Sequence, residues 1–127
     1  MTKILTFLSV FGFGALFGAT ITLAGAAENA TKPAYMIVSS ERIPGADYGP
    51  YSAAAGPLAR DAGLQMIASS KEPVVLEGDW PYKNVTLEVY PSMEELKAFW
   101  YSDAYQAAIE LREGLSEMNF IIAVEAD

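Results

Sequence analysis

Apolar residues follow strand-like or helix-like spacing along most of the chain, and four short segments are typical of β-strands. Residues 85–90 alternate strictly between apolar and other side chains. One side of this segment carries only apolar residues, namely Val85, Leu87 and Val89. Residues 118–124 are apolar at almost every position, as expected of a strand that is covered on both faces. The two remaining predicted strands span residues 35–40 and residues 64–69.

Helical spacing follows the first and the third of these strands. The first helix is indicated by residues spaced i, i+3, i+4, i+7 and i+11, which are Tyr51, Ala54, Ala55, Leu58 and Ala62. Pro57 lies inside this pattern and is expected to kink the helix or to delay its start. Ser92 and Glu95 match a capping box and predict a helix that begins directly after Ser92. Ser102 marks a further helix start, and this last helix is expected to run to Gly114.

The order of these elements is β-α-β-β-α-β, with the second helix split in two. This order predicts an α+β fold of the ferredoxin-like class, in which a four-stranded antiparallel sheet carries its helices on one face. The other face is not polar, because the last strand has apolar residues on both sides. A second copy of the chain that packs sheet against sheet would bury this face, so a homodimer is expected.

The longest uncharged stretch of the chain lies near its start. After Lys3, residues 4–27 contain no charged side chain, and residues 24–26 form an A-x-A cleavage pattern. These features predict a secretory signal peptide and therefore an exported domain, periplasmic or secreted. The expected division is a signal peptide at residues 1–26, a linker at residues 27–34 and the folded domain at residues 35–127. The run is also long enough to span a bilayer, so a membrane anchor that holds the domain outside the cytoplasm stays open.

Composition and charge narrow the classes of function. The chain holds 16 acidic and 8 basic residues, a net charge of -8, which argues against binding to the phosphates of nucleic acid. It contains no cysteine and no histidine. Thiol nucleophiles, disulfides, the Ser-His-Asp triad and histidine-ligated haem or metal are therefore excluded. We expect neither a cofactor nor a metal site.

The groups left for chemistry are carboxylates, hydroxyls, aromatic rings and arginines. Tyr101, Tyr105 and Arg112 fall on one helical stripe, at spacing i, i+4 and i+11. A guanidinium can bind a carboxylate or an enolate through paired hydrogen bonds, and nearby tyrosine hydroxyls can orient a bound oxygen or donate a proton. Glu77 ends a short predicted strand in the apolar run 73–78, where it can act as a base or pair with Arg112. An aromatic wall for this pocket is expected from Trp80 and Trp100.

Several short segments of the sequence resemble the motifs of one protein family. They lie at residues 75–80, 89–92, 99–108 and 111–112, and a Trp-Tyr-Ser-x-x-Tyr segment is the most specific of them. The chain resembles domain-of-unknown-function family 1330 over residues 35–125. That family belongs to the dimeric α/β-barrel superfamily, so the resemblance implies a ferredoxin-like subunit whose sheet forms a barrel with that of a second subunit. Superfamily relatives include cofactor-free monooxygenases and haem enzymes, and the latter generally use a histidine ligand that this chain lacks.

Two classes of function stay open from the sequence. The first is an exported homodimer that binds a small anionic or aromatic compound, with or without cofactor-independent chemistry. Its pocket lies between helix and sheet or in the barrel. The second is a non-catalytic dimerisation or interaction module of the cell envelope, in which the aromatic residues form only core and interface. In that case Arg112 and Glu77 form a structural ion pair. Catalytic residues are left unassigned, as is the question of whether the chain is an enzyme.

Overall fold

The computed structural model describes residues 30–127, and the structural statements below refer to these residues. The predicted signal peptide or anchor, and the start of the predicted linker, lie outside them. Within residues 30–127, no helix combines the length and the apolar character needed to cross a bilayer. The elements in chain order are β1 (Ala34–Arg42), α1 (Gly49–Asp61), β2 (Gln65–Ser70), β3 (Val85–Tyr90), α2 (Met93–Trp100), α3 (Asp103–Glu110) and β4 (Ser116–Glu125).

The four strands form one antiparallel sheet in the order β2-β3-β1-β4. β1 is central, with Ile37 paired to Leu87 of β3 and to Ile122 of β4. The three helices cover one face of this sheet, which we call the inner face; the opposite face is the outer face. This arrangement confirms the predicted ferredoxin-like α+β fold and the split of the second helix into α2 and α3.

The core lies between the inner face and the helices. Three aromatic rings of the core contact one another in a row, with Phe99 of α2 in the middle. The Phe99 ring centroid lies 5.6 Å from that of Tyr90 in β3 and 4.1 Å from that of Tyr105 in α3. Buried aromatic pairs of this kind contribute about 0.5–1.5 kcal/mol each beyond the area that they remove from water. Smaller apolar side chains complete the core: Ala34, Met36, Ala55, Leu96 and Ala108.

The strand β3 turns its apolar side away from the helices. Leu87 lies opposite Ile37 on the outer face. Glu88 and Tyr90 instead lie under the helices on the inner face. The outer face continues on β4 with Phe120, Ile122 and Val124. The last two are each 49% exposed, so this side of the sheet presents apolar area that no element of the described chain covers fully.

The helix α1 begins at Gly49, so the delayed start expected from Pro57 is wrong. Pro50 occupies the first turn, where its fixed φ and its missing N–H suit a helix. The Asp47 carboxylate also accepts a hydrogen bond from the backbone N–H of Gly49 at 2.9 Å. The helix then runs through Pro57, which is exposed. The opposite side of α1 buries Ala55, and this packing outweighs the one backbone hydrogen bond that the proline removes.

Two serine caps divide the second helix. The Ser92 hydroxyl accepts a hydrogen bond from a backbone N–H of the first turn of α2 at 3.1 Å, which confirms the predicted helix start. The Ser102 hydroxyl accepts from the Tyr105 N–H at 3.2 Å and caps α3 in the same way. The expected end of this helix at Gly114 is wrong, because α3 ends at Glu110. A turn follows, in which Gly114 takes a φ of +71°, a left-handed conformation that glycine adopts without strain.

The segment between β2 and β3 contains no strand. The short strand expected over residues 73–78 is not formed. Pro73 has no N–H to donate to a ladder, and Gly78 has a φ of +83°, which breaks extended backbone. Val74 and Leu76 are 83% and 95% exposed, so the apolar character of this run does not reflect burial in the subunit.

One side chain supports the end of β1 where its pairing with β3 stops at Val38. The side-chain amide of Asn84 donates a hydrogen bond to the Ser40 carbonyl and accepts one from the Ser40 N–H at 3.0 Å. The buried Ser39 hydroxyl donates to the Asn84 backbone carbonyl at 2.8 Å. Asn84 thus takes the place of a strand neighbour and fixes the last residues of β1, which end at Arg42.

Candidate functional site

A cavity of about 420 Å³ lies between α1 and the inner face of the sheet. β1 and β3 form its floor, α1 forms one wall, and α3 with the turn after it closes one side. Its volume lies within the range of roughly 300–1,000 Å³ that is usual for small-molecule sites. The lining combines cations, a carboxylate and tyrosines: Arg42, Tyr48, Tyr51, Glu88, Tyr105 and Arg112.

Both arginines of this cavity lie over tyrosine rings. The guanidinium carbon of Arg42 is 4.2 Å from the ring centroid of Tyr48, and that of Arg112 is 5.5 Å from the ring centroid of Tyr51. The two tyrosines meet edge to face at 5.9 Å. Cation–π contacts hold a guanidinium in place without using its N–H donors. The donors of both arginines therefore remain available to an anion.

A pair of tyrosine hydroxyls lies deeper in the cavity. The hydroxyl oxygens of Tyr51 and Tyr105 are 3.1 Å apart and share a hydrogen bond. Burial raises the pKa of Tyr105 above its usual value, and the hydrogen bond to Tyr51 raises it further. Both effects favour the neutral phenol, so this hydroxyl acts as a hydrogen-bond donor or acceptor and not as a phenolate.

Glu88 supplies the carboxylate of the cavity, and it has no ionic partner in the described chain. Its register neighbours are Met36 on β1 and Met66 on β2. Burial raises the pKa of Glu88. The ion pair found within residues 30–127 joins Lys83 to Glu41 at the protein surface. In the same part of the chain, no group of three metal-ligating side chains is close enough to hold a metal ion.

Two polar atoms at the cavity are buried without a hydrogen-bond partner. They are the Tyr90 hydroxyl and the Nε of Arg112. Burial raises the pKa of Tyr90, and the nearby charge of Glu88 and the Tyr51 phenol add to this rise. Most buried polar groups in proteins are hydrogen-bonded, so these two groups call for a further partner, such as a water molecule or a ligand in the cavity.

The structure brings together two of the six candidate residues, Tyr105 and Arg112. Both line the cavity. Tyr101 does not, because the chain changes direction between α2 and α3 and interrupts the helical stripe expected from the sequence. The Tyr101 side chain is 72% exposed and borders a separate recess of about 220 Å³ together with Trp100.

Glu77 lies away from the candidate site as well. It belongs to the exposed loop between β2 and β3. It forms no ion pair with Arg112, since the ion pair present in residues 30–127 is the one between Lys83 and Glu41. The expectation of a strand end that places Glu77 beside Arg112 is therefore wrong, because the strand itself is not formed.

The two tryptophans do not form the wall of the cavity. Trp80 packs against Tyr82 at 5.2 Å and Phe120 at 5.9 Å between ring centroids, in a cluster based on the outer face. Trp100 packs behind the cavity against Tyr105 at 5.4 Å. The aromatic wall is formed instead by the tyrosines at positions 48 and 51.

Sequence reasoning did not assign four groups to the cavity: Arg42, Tyr48, Tyr51 and Glu88. Arg42 and Tyr48 flank the turn between β1 and α1, where no periodicity identifies a partner. Glu88 did have a signal, since it lies on the polar side of an alternating strand. The polar side of such a strand is usually assumed to face solvent, whereas here the polar side of β3 faces the cavity.

The chain is similar to several proteins of known structure. A protein of unknown function from Rhodopseudomonas palustris is 19% identical over 76% of this chain and 83% of that one, with a TM-score of 0.60. SnoaB, a cofactor-independent oxygenase from Streptomyces nogalater, is 8% identical over 76% of this chain and 95% of that one, with a TM-score of 0.45. A dimeric ferredoxin-like protein of unknown function from Thermobifida fusca is 10% identical over 76% and 91%, with a TM-score of 0.39.

The family comparison covers most of the chain. No curated protein matches the sequence significantly. The model of a domain of unknown function, DUF1330, matches residues 33–126. This match confirms the resemblance that the motifs at residues 75–112 indicated. The chain therefore belongs to the DUF1330 family.

Proposed function

We propose that the protein binds a small organic anion with an aromatic or otherwise unsaturated body in the cavity between α1 and the sheet. One observation carries the proposal. Arg112 lies over the Tyr51 ring, its Nε is buried without a hydrogen-bond partner, and no carboxylate is within ion-pair distance of it in residues 30–127. A carboxylate or enolate oxygen would supply that partner.

The charge distribution supports an anionic ligand. The whole chain has 16 acidic and 8 basic residues, so positive charges are the minority on it. Two of its 8 basic residues, Arg42 and Arg112, line the same cavity. The tyrosine rings beneath them provide flat apolar surface, which favours an unsaturated ligand over a compact inorganic ion.

Benzoate is a suitable first probe, because it has one carboxylate and one ring. We expect it to bind the full chain and to shift the backbone amide NMR signals of cavity residues. Replacing Arg112→Gln removes a charge-assisted pair of hydrogen bonds and is expected to weaken binding by about tenfold to a hundredfold. Arg60→Gln is the matched control, since Arg60 is exposed near the end of α1 and does not line the cavity.

Two results would overturn the proposal. One is the absence of any benzoate binding to the wild-type chain at millimolar concentration. The other is equal affinity for benzoate in wild type, Arg112→Gln and Arg60→Gln. Circular dichroism of each variant separates loss of the site from loss of the fold.

The cellular setting belongs to the same proposal. The uncharged run at residues 4–27 and the A-x-A pattern at residues 24–26 support export of the domain to the periplasm or the medium. The exposed apolar outer face, with Ile122 and Val124 each 49% exposed, supports a homodimer that packs sheet against sheet. N-terminal sequencing of the protein recovered from the exported fraction tests the first point, and sedimentation velocity tests the second.

A second candidate function rests on the loop between β2 and β3. Val74 and Leu76 are 83% and 95% exposed, and such an apolar tip is unusual unless a partner covers it. This feature favours a non-catalytic interaction module of the cell envelope, in which the cavity is incidental. Substitution of both residues by serine should abolish partner binding in that case and leave benzoate binding unchanged.

A further inference from the structure

Glu88 is a half-buried charged group whose position the fold alone does not explain. It lies on the inner face of β3, between Met36 and Met66 in the sheet register. Its neighbours along the strand on that face are Thr86 and Tyr90. An ionised carboxylate in such surroundings is costly unless a cation or several hydrogen-bond donors compensate for the lost water.

No such compensation is present in the described chain. The carboxylate forms no ion pair in residues 30–127 and takes part in none of the side-chain hydrogen bonds there. The other charged and titratable groups that share its cavity come from β1, β3, α1, α3 and the adjoining turns: Arg42, Tyr48, Tyr51, Tyr90, Tyr105 and Arg112. Burial also raises the pKa of Glu88, which makes its carboxylate a better proton acceptor than an exposed glutamate.

We propose that Glu88 is the base of the cavity and takes a proton from the carbon next to a carbonyl group of the bound anion. The ligand class is then a small enolisable carbonyl compound with an anionic group. This inference rests on the proposed function, because it requires an anion held by Arg112 in the same cavity. It adds to that function a reaction, enolisation.

The step is balanced without an oxidant or a cofactor. The C–H bond of the ligand breaks, its proton forms an O–H bond on Glu88, and its electron pair becomes part of the enolate. The enolate oxygen takes the negative charge, and the donors available to it are Arg42 and the hydroxyls of Tyr51 and Tyr105. Return of the proton to the same carbon gives exchange, and return to another carbon of the ligand gives an isomer.

Exchange of hydrogen for deuterium in 4-acetylbenzoate tests the step. This probe has the ring and the carboxylate of benzoate and a methyl ketone with removable protons. In D₂O, proton NMR follows the loss of the methyl signal, and the same titration reports binding. We expect the wild-type chain to accelerate exchange and Glu88→Gln to slow the exchange of the bound probe by about a hundredfold or more, in keeping with the usual size of general-base catalysis.

A matched variant tests whether loss of any carboxylate, and not of Glu88 in particular, changes the exchange rate. Glu94→Gln alters an exposed residue of α2 and should leave exchange unchanged. Glu88→Gln should bind 4-acetylbenzoate at least as well as wild type, because it removes a negative charge near the bound anion. The accelerated rate should also rise with pH as Glu88 ionises.

The outcomes separate the two proposals. If 4-acetylbenzoate binds but its exchange is no faster than in buffer, or equally fast with Glu88→Gln, the role of Glu88 is overturned and anion binding stands. If neither benzoate nor 4-acetylbenzoate binds, both proposals are overturned.

Discussion

The two faces of the sheet differ in a way that runs against the usual pattern of a small domain. The inner face, under the helices, carries Glu88 and the hydroxyl of Tyr90 beside apolar core residues. The outer face carries Ile37, Leu87 and Ile122 and is only partly covered. Polar groups on the covered side indicate a site, and apolar groups on the uncovered side indicate an interface.

The largest expected difference between the faces is in stability. Phe99 is 7% exposed in the helical core, and Phe99→Ala should lower the free energy of unfolding by about 3–5 kcal/mol. Phe120 lies half-buried on the outer face, and Phe120→Ala should cost only about 1–2 kcal/mol at protein concentrations low enough to favour the monomer. Urea unfolding measures both. Equal losses for the two variants at low concentration would contradict the distinction.

A charge on the outer face should act on association and not on the fold. In the proposed sheet-to-sheet dimer, Ile122→Lys would bury an uncompensated ammonium in the interface and is expected to raise the dimer dissociation constant at least about a hundredfold. Leu111→Lys is the control, because Leu111 is similarly exposed, 45% against 49%, but lies in the turn after α3. Sedimentation equilibrium gives the constants. Unchanged association of Ile122→Lys would exclude this face as the interface.

Removing single hydroxyls gives a smaller contrast. Tyr105→Phe removes the hydrogen bond to Tyr51 and should cost about 1 kcal/mol of unfolding free energy. Tyr82→Phe should cost close to nothing, since the Tyr82 hydroxyl makes no hydrogen bond within residues 30–127 and its ring contacts to Trp80 and Phe120 are kept. Thermal unfolding of the two variants compares them directly. A larger loss of unfolding free energy for Tyr82→Phe than for Tyr105→Phe would contradict the conclusion that the hydrogen-bonded hydroxyls lie on the inner face.

The smallest effect concerns pH and one carboxylate. Burial raises the pKa of Glu88 in the folded chain above 4.5, so between that usual value and the raised one the folded state binds more protons than the unfolded state. The contribution of Glu88 to the free energy of unfolding is therefore most favourable at low pH, and it decreases as the pH rises through the raised pKa. The difference in unfolding free energy between wild type and Glu88→Gln should shift in this direction over that window. A pH-independent difference, equal to that of Glu94→Gln, would show that Glu88 is solvated.

The secondary structure was largely predictable because its signals are local. The alternation of residues 85–90 and the serine caps at Ser92 and Ser102 act over a few positions and are present in the structure as expected. The run at residues 73–78 was misread, since apolar content alone does not show whether a neighbouring strand can pair with it.

The site was less predictable, because its contacts join distant elements. Tyr105 and Arg112 both line the cavity, but Arg112 does so from the turn after α3 and not from the helix that the spacing implied. Tyr101 was grouped with them by helical spacing alone, although it precedes the predicted helix start at Ser102, and the cap at Ser102 separates it from α3. Arg112 in the turn after α3 contacts Tyr51 in α1. The residue spacing within each segment carries no information about a contact between the two segments.

The Asn84 side chain has a consequence for the local stability of the sheet. Beyond Val38, β1 is bonded to β4 on one side but to a single amide on the other. Local opening of a sheet is easiest where the fewest backbone bonds must break at once. The strand segment that carries Arg42 is therefore expected to exchange its amide hydrogens faster than the middle of β1.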